Sequence, residues 1–325
     1  MIKAEHLVKR YGTGIALDDV SFSIEEGEIV GLLGPNGAGK STTMNILTGY
    51  LSATAGSVSV DGVDILDDPI AVKRKVGYLP EQPPVYPDMT VDEYLHFVYE
   101  LKGCTLSEKE HLDEICTAVK LNEVRKRLIR NLSKGYRQRV GIAEALIGNP
   151  PVLIFDEPTV GLDPKQIIEV RNLLRTLGKK HTVILSTHIL SEVQAVCERI
   201  LVIDRGVLVA DARTEDITRT VEGHNRFRAR ISHSQRGNVL AALKKIAGIR
   251  NVVASETREG DAFVYTIESE PGIDVRKPVF YLCAREDWPL VGFERAEANL
   301  EEIFLRLVDG TGTVLTKNGK KGKQS

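Results

Sequence analysis

The chain has 325 residues, of which 42% are hydrophobic and 27% are charged, a composition typical of folded globular proteins and not of disordered ones. Its 43 Lys and Arg residues against 45 Asp and Glu residues give a formal net charge of −2, whereas proteins that wrap nucleic acid carry a basic excess. At about 100–200 residues per domain, this length predicts two domains. No apolar run is long enough to span a membrane and the first residues lack the apolar core of a signal peptide, so we expect a cytosolic chain.

Roughly the first 220 residues alternate short β-branched runs with helical patterns, which is typical of an α/β domain with a largely parallel sheet. Continuous apolar runs predict the parallel strands, namely Ile29–Leu33, Val76–Leu79, Val152–Asp156, Val183–Thr187 and Ile200–Ile203. Runs that alternate apolar and polar residues predict half-exposed antiparallel strands beside that sheet, namely Ile2–Val8, Val20–Ile24 and Ser57–Asp61.

Residues 88–150 show helical patterns only, which predicts a helical insertion within the α/β domain. A capping box at Thr90–Glu93 opens a helix that runs to Leu101, and a second capping box is predicted at Ser107–Glu110. A third helix is predicted over Ser133–Gly148, because Asn149 and two prolines follow it as stop signals.

The pattern changes again after Glu222 and Gly223. The elements predicted over residues 227–293 follow the order strand, helix, strand, strand, helix, strand, which resembles a ferredoxin-like unit. A last helix is predicted at Leu300–Val308, and the Lys-rich end of the chain predicts a disordered tail. The expected organisation is an α/β domain over residues 1–222, an α+β accessory domain over residues 223–309 and a tail over residues 310–325.

The strongest local signal is the sequence GLLGPNGAGKST over Gly31–Thr42. Gly34, Gly39, Lys40 and Ser41 match the P-loop pattern G-x-x-x-x-G-K-[ST]. In such a loop, backbone amides surround phosphate groups at the positive end of the following helix, the Lys adds a point charge and the Ser hydroxyl binds Mg²⁺. An apolar strand precedes the loop and a helical run follows it, which favours a phosphate site over an ordinary Gly-rich turn.

The second signal is the run Val152–Phe155 followed by two acids, Asp156 and Glu157. A buried strand of this kind delivers its last side chains to the carboxyl edge of the sheet, where the ligand sites of open α/β sheets lie. Asp156 would hold Mg²⁺, directly or through water, and Glu157 would orient and polarise the attacking water. Alone, such a run is more often a strand-to-loop junction; the P-loop makes the functional interpretation the better one.

Three further segments, in order along the chain, resemble motifs of the ATPase subunits of ABC transporters. Asn131–Arg139 is similar to the signature motif of that family. Glu157–Pro164 is similar to the segment that follows its acidic strand, and Thr187 with His188 to its switch histidine. The resemblance covers residues 1 to about 210 and implies a P-loop ABC-type ATPase fold with ATP and Mg²⁺ as ligands.

The resemblance also implies roles for individual residues. Glu157, Lys40 and His188 would be catalytic, with His188 bonded to the γ-phosphate. The ATP-binding residues would be Tyr11, stacked on adenine, and the loop residues Gly34, Pro35, Asn36, Gly37, Ala38, Gly39, Lys40, Ser41 and Thr42. The residues that touch ATP bound by the opposite subunit would be Ser133, Gly135 and Asp163, although Lys134 and Tyr136 replace the usual Gly and Gln of the signature.

The family usually has a Gln after the strand Val76–Leu79, where it reaches Mg²⁺ and the membrane partner. In this sequence Glu81 occupies that position, and Gln82 follows one residue later. A carboxylate also binds Mg²⁺. We therefore expect Mg²⁺ to be held by Ser41, Asp156 and Glu81, with Gln82 as the alternative to Glu81.

The segments Ala298–Leu307, Tyr78–Glu81 and Lys134–Tyr136 resemble bacterial exporter-type ATPases of drug, antibiotic and gliding-motility systems. This resemblance implies a pair of ATPase subunits, two copies of this chain or one copy and a homologue, at the cytoplasmic face of the membrane. The pair would bind a separately encoded transmembrane permease, sandwich two ATP molecules and bind no nucleic acid. The transported substrate is not encoded in this chain, because its contacts lie in the permease.

Other classes of ATPase remain as alternatives. A translation factor of the ABC type normally has two cassettes in one chain, and this sequence has one P-loop. A DNA-maintenance ATPase would separate the P-loop from the signature by a long coiled coil, which the compact pattern between them does not suggest. A small-molecule kinase would share the P-loop but not the motifs from Ser133 to Asp163.

Overall fold

The structure is a computed structural model that describes residues 1–215, 226–232, 235–270 and 272–295. The chain divides between Thr214 and Glu215 into two compact units, each described separately below. The predicted domain boundary at residues 222–223, the predicted helix Leu300–Val308 and the predicted tail lie outside the described residues.

The first unit begins with an antiparallel sheet. Strands β1 and β2 form a long hairpin in which Ile2 pairs with Ile24 and Tyr11 with Gly14. The sheet order is β2-β1-β4-β5, and the bounds are Ile2–Tyr11 for β1, Gly14–Ile24 for β2, Ala55–Val60 for β4 and Val63–Asp64 for β5. Alternation of buried and exposed residues along β2 and β4 confirms the predicted half-exposed strands.

A six-stranded sheet forms the centre of the first unit. Its strands are β3 (Ile29–Leu33), β6 (Val76–Leu79), β7 (Val152–Asp156), β8 (Thr182–Thr187), β9 (Arg199–Asp204) and β10 (Val207–Arg213), in the order β10-β9-β3-β8-β7-β6. All neighbours are parallel except β10, which pairs antiparallel with β9. Every residue of β3, β7 and β8 is buried, which is why these strands read as continuous apolar runs.

The helices of this unit are α1 (Lys40–Leu47), α2 (Pro69–Lys75), α3 (Val91–Leu101), α4 (Glu108–Ala118), α5 (Lys134–Leu146), α6 (Pro164–Leu177) and α7 (Leu190–Val196). The helical insertion between β6 and β7 is confirmed and contains α3, α4 and α5, with two 3₁₀ turns before α5. None of the described helices is long and apolar enough to cross a membrane.

Only one of the two predicted capping boxes forms. Thr90 Oγ1 accepts a hydrogen bond from the Glu93 amide (3.2 Å), and Glu93 Oε2 accepts one from the Thr90 amide (2.7 Å). The prediction of a second box was wrong: Ser107 precedes α4 but its side chain makes no capping bond there. The ψ angle is 109° at Ser107 and 163° at Thr90, so the Ser107 hydroxyl is not directed at the first-turn amides.

The second unit has its own sheet and core. Its elements are β11 (Arg226–Ser232), α8 (Arg236–Leu243), β12 (Ile249–Glu259), β13 (Ala262–Ser269), α9 (Arg276–Arg285) and β14 (Leu290–Arg295). The sheet is antiparallel in the order β12-β13-β11-β14, and the element order confirms the predicted ferredoxin-like pattern. Phe227, Tyr265 and Ile267 pack against Val239 and Val279 of the two helices.

The different caps of α3 and α4 give a matched pair of variants. We expect Thr90→Ala to lower the free energy of unfolding by about 1 kcal/mol, because it removes a bonded cap. Ser107→Ala removes a hydroxyl that caps nothing, so its effect should stay within about 0.5 kcal/mol. Chemical denaturation of the full-length variants measures both, and equal losses would contradict the structural difference between the caps.

Candidate nucleotide-binding site

Three neighbouring parallel strands end at one cavity of about 310 Å³. Because β3, β8 and β7 run in the same direction, their carboxyl ends meet at the same edge of the sheet, where α/β ligand sites lie. The cavity is lined by Ala16, Asn36, Gly37, Gly39, Lys40, Ser41, Thr42, Glu81, Glu157, Val160 and His188.

The loop between β3 and α1 lines one side of this site. Gly39 has a φ of 111°, a conformation that other residues rarely adopt. A Cβ atom at Gly34 would lie 2.3 Å from the Ile203 carbonyl oxygen, so only glycine fits there. Gly39 caps α1 without a side chain, which leaves the first amides of that helix free to bind an anion.

Lys40 is almost completely buried, with 6% of its side chain exposed. Its Nζ atom donates to the carbonyl oxygens of Gly34 (2.8 Å) and Pro35 (3.2 Å). The same atom lies 3.6 Å from Glu157 Oε1. The ammonium group is therefore fixed by the loop itself and faces the acid that follows β7.

Glu157 lies between Lys40 and His188. Both of its carboxylate oxygens are 3.0 Å from His188 Nδ1. Its φ angle of 50° is unusual for a residue with a side chain, and its amide donates to the carbonyl and hydroxyl oxygens of Ser186 at 3.2 and 3.1 Å. A buried carboxylate beside this cavity can polarise a water molecule bound there.

Asp156 is buried one residue earlier, and the Ser186 hydroxyl donates to its carboxylate. Burial, and secondly the negative charge of Asp156, raise the pKa of Tyr78 above its usual value, so this phenol stays protonated. The Tyr78 hydroxyl lies 3.2 Å from Asn45 Oδ1 on α1. Tyr78 therefore lies within the electrostatic reach of Asp156 and is bonded to the helix that follows the phosphate loop.

The predicted magnesium ligands are oxygen donors. Ser41 and Glu81 line the cavity, whereas Asp156 and Gln82 are not among the described residues that do. Among the described residues, no group of three or more His, Cys, Asp or Glu side chains is arranged to hold a metal ion alone. This sparse oxygen set fits Mg²⁺, which binds through one or two carboxylates and otherwise through water and phosphate oxygens.

Of the predicted ATP contacts, Gly34, Pro35 and Ala38 lie in the loop but not among the described residues that line the cavity, and four others lie elsewhere. Ser133 caps α5, its Oγ accepting the Tyr136 amide (3.3 Å), and Asp163 caps α6, its Oδ1 accepting the Gln166 amide (2.9 Å). Neither these two residues nor Gly135 is among the described residues that line the cavity. Tyr11 is 54% exposed at the β1–β2 turn, and Lys9 Nζ lies 5.3 Å from its ring centroid. Their contacts with ATP stay predictions.

Two of the described residues that line the cavity were not predicted from the sequence. Val160 lies within the segment Glu157–Pro164, so its position in that motif was an available signal. Ala16 comes from β2, which the antiparallel sheet brings to the cavity, and no local pattern marks it.

Comparison with known proteins identifies the family. A family model described as ABC transporter matches residues 17–160. The ABC transporter ATP-binding protein YxlF of Bacillus subtilis is 33% identical over 95% of this chain and 99% of its own length. The linearmycin resistance ATP-binding protein LnrL of Bacillus subtilis is 32% identical over 96% of this chain and 99% of its own length.

A solved structure gives the same result. The dimeric ATP-binding cassette MJ0796, in a post-hydrolysis state bound to ADP and Pi, is 30% identical with a TM-score of 0.61, covering 66% of this chain and 99% of that one. Nothing in these similarities favours a translation or DNA-maintenance factor. The chain belongs to the ABC transporter family, as an ATP-binding subunit that hydrolyses ATP.

Proposed function

We propose that this chain hydrolyses ATP at the interface between two ATPase subunits and thereby powers a separate membrane permease that exports its substrate. One observation carries the proposal: the cavity brings together the P-loop, Glu157 and His188 but is not lined by Ser133, Gly135 or Asp163. A second subunit that presents those three groups completes the site.

Within one subunit, the P-loop amides and Lys40 bind the β- and γ-phosphates, since the ammonium group is already directed at the cavity. Ser41, Asp156 and Glu81 are the residues that would hold Mg²⁺. When bound, Mg²⁺ supplies positive charge that neutralises the phosphate oxygens. Glu157 accepts a proton from the attacking water, and His188, 3.0 Å from that carboxylate, bonds to the γ-phosphate.

The second subunit contributes the beginning of α5. Ser133 and Lys134 are exposed there, and the Tyr136 amide is bonded to Ser133 Oγ, which leaves the Lys134 and Gly135 amides without a partner inside the helix. A helix N-terminus attracts a γ-phosphate through its dipole, and the exposed Lys134 adds a full positive charge beside it. The signature departures at Lys134 and Tyr136 are therefore compatible with ATP-dependent pairing.

Export is supported by whole-length similarity. LnrL, whose name assigns it to linearmycin resistance, aligns over nearly all of this chain, including the second unit. Such a subunit works at the cytoplasmic face of the membrane, bound to its permease.

The export proposal predicts a membrane partner. We expect a neighbouring gene to encode a protein with several apolar segments of about 20 residues. Coexpression of the two should place this chain in the membrane fraction and stimulate its ATPase activity. A chain that stays in the soluble fraction with every neighbouring gene product would contradict the proposal.

The first active-site prediction concerns Lys40. Lys40→Ala should lower turnover by at least about 100-fold, because it removes a preorganised charge from the phosphate site. ATP should also bind about 10- to 100-fold more weakly, the usual effect of losing a charged hydrogen bond. Lys75→Ala is the matched control, because this lysine pairs with Asp61 (3.1 Å) at the surface. Near-normal turnover of Lys40→Ala would refute the P-loop assignment.

The second active-site prediction concerns Glu157. Glu157→Gln keeps the shape of the side chain and removes its basicity, so turnover should fall by about 10²–10⁴-fold. ATP should still bind, and unhydrolysed ATP held between two subunits should accumulate a dimer. Light scattering with Mg-ATP measures the dimer, and ADP is the control because it lacks the γ-phosphate that both subunits contact. A variant that stays monomeric in saturating ATP, even with its permease, would exclude the shared site.

A further inference from the structure

Glu192 is a buried acid behind the candidate site. It lies on α7, is 2% exposed and does not line the cavity. Thr159 Oγ1 is 2.6 and 2.7 Å from its two carboxylate oxygens, and Thr187 Oγ1 donates to Glu192 Oε2 at 3.0 Å. One carboxylate therefore joins α7 to the segment that follows β7 and to the last residue of β8.

Those two threonines flank the proposed catalytic side chains. Thr159 is two residues after Glu157, and Thr187 immediately precedes His188. The ladder between β7 and β8 ends at the pair Asp156 and Ser186, and beyond it the Glu157 amide still bonds to the Ser186 carbonyl (3.2 Å). Glu192 bonds to one threonine from each side of this ladder.

The Thr187 hydroxyl links Glu192 to the backbone that follows His188. Thr187 Oγ1 donates to Glu192 Oε2 and also accepts the Ile189 amide, each at 3.0 Å. The peptide group after His188 is thus held by a hydroxyl that is itself bonded to Glu192. His188 Nδ1 lies 3.0 Å from the Glu157 carboxylate.

A carboxylate suits this position for a specific reason. An ionised carboxylate only accepts hydrogen bonds, so it can take both threonine hydroxyls at once, whereas a glutamine amide presents a donor to one of them. Burial of an acid is unfavourable unless it is well partnered. Among the described residues, the cation paired with this acid is Arg171 on α6, whose Nη2 lies 4.0 Å from Oε1. An apolar side chain would fill the space at a lower desolvation cost, but it would leave both threonine hydroxyls without this acceptor.

We propose that Glu192 is a positioning residue for ATP hydrolysis, which keeps Glu157 and His188 in register by accepting the hydroxyls of Thr159 and Thr187. It acts through these neighbours and touches neither nucleotide nor water. The inference rests on the roles proposed above for Glu157 and His188.

The test compares binding with turnover in full-length variants. We expect Glu192→Ala to lower kcat by about 10- to 100-fold, since a misplacement of about 1 Å can reduce a rate about 100-fold. Glu192→Gln should lose less, because its amide oxygen still accepts one hydroxyl. The Kd for ATP should change by less than about threefold in both, because the P-loop is untouched.

Two further variants separate positioning from general destabilisation. Thr159→Val removes one of the two bridged hydroxyls, so its effect on kcat should not add to that of Glu192→Ala. Glu144→Gln is the matched control: this acid, at the far end of α5, accepts the Tyr94 hydroxyl (2.6 Å) and does not line the cavity. It should leave kcat unchanged.

Each outcome decides the proposal. Normal kcat in Glu192→Ala, an equal loss in Glu144→Gln, or parallel losses of binding and turnover would overturn it. If Glu192→Ala does not fold, Glu192→Gln and Thr159→Val decide by the same criteria. Glu157→Gln distinguishes the two proposals: if it retains turnover, the proposed function fails, and if it alone is inactive, only the positioning role of Glu192 fails.

Discussion

The parallel pairing of β3, β8 and β7 is the constraint on which the site depends. Leu33 at the end of β3 pairs with Thr187 at the end of β8, and Ser186 pairs with Asp156 at the end of β7. This register brings the P-loop, the histidine and the two acids side by side. A slip of one residue in either pair would move one of the three out of reach of the others.

Because these strands end side by side, opposite charges meet within the cavity. Lys40 and Glu157 are both nearly buried, and their charged atoms lie 3.6 Å apart. A phosphate group bound by the loop, as proposed above, would compete with Glu157 for the Lys40 charge, because both are anions in a site where water screens weakly. The proposed phosphate site and the Glu157 carboxylate therefore share a single ammonium group.

The two units have separate cores and different relationships to known proteins. The first unit carries the motifs of the cassette, and MJ0796 matches 66% of this chain while being covered over 99% of its own length. YxlF and LnrL align over 95% and 96% of the chain, so they share the remaining third as well. The second unit buries its own hydrophobic cluster around Tyr265. This unit is therefore stabilised by a core that contains none of the nucleotide-site residues.

Local patterns in the sequence determined the central strands, the helical insertion and the order of elements in the second unit. They did so because a strand buried on both faces must be apolar throughout, and because a phosphate loop requires glycines and a lysine at fixed spacing. Neither requirement depends on distant residues. The false capping box at Ser107 shows the limit of this reasoning, since the same type of residue pattern occurs there with a ψ of 109° instead of the 163° at Thr90.

Tertiary structure alone decided which side chains share the cavity and what supports them. Ala16 reaches the site from a different sheet, and Glu81 lines the cavity whereas Gln82 does not, because the loop after β6 presents one side chain and not its neighbour. The bridge through Glu192 joins segments more than 30 residues apart, as the separation of 33 between Thr159 and Glu192 shows. Such contacts produce no periodic pattern in the sequence, because they form only when the sheet brings together the ends of strands that are distant along the chain.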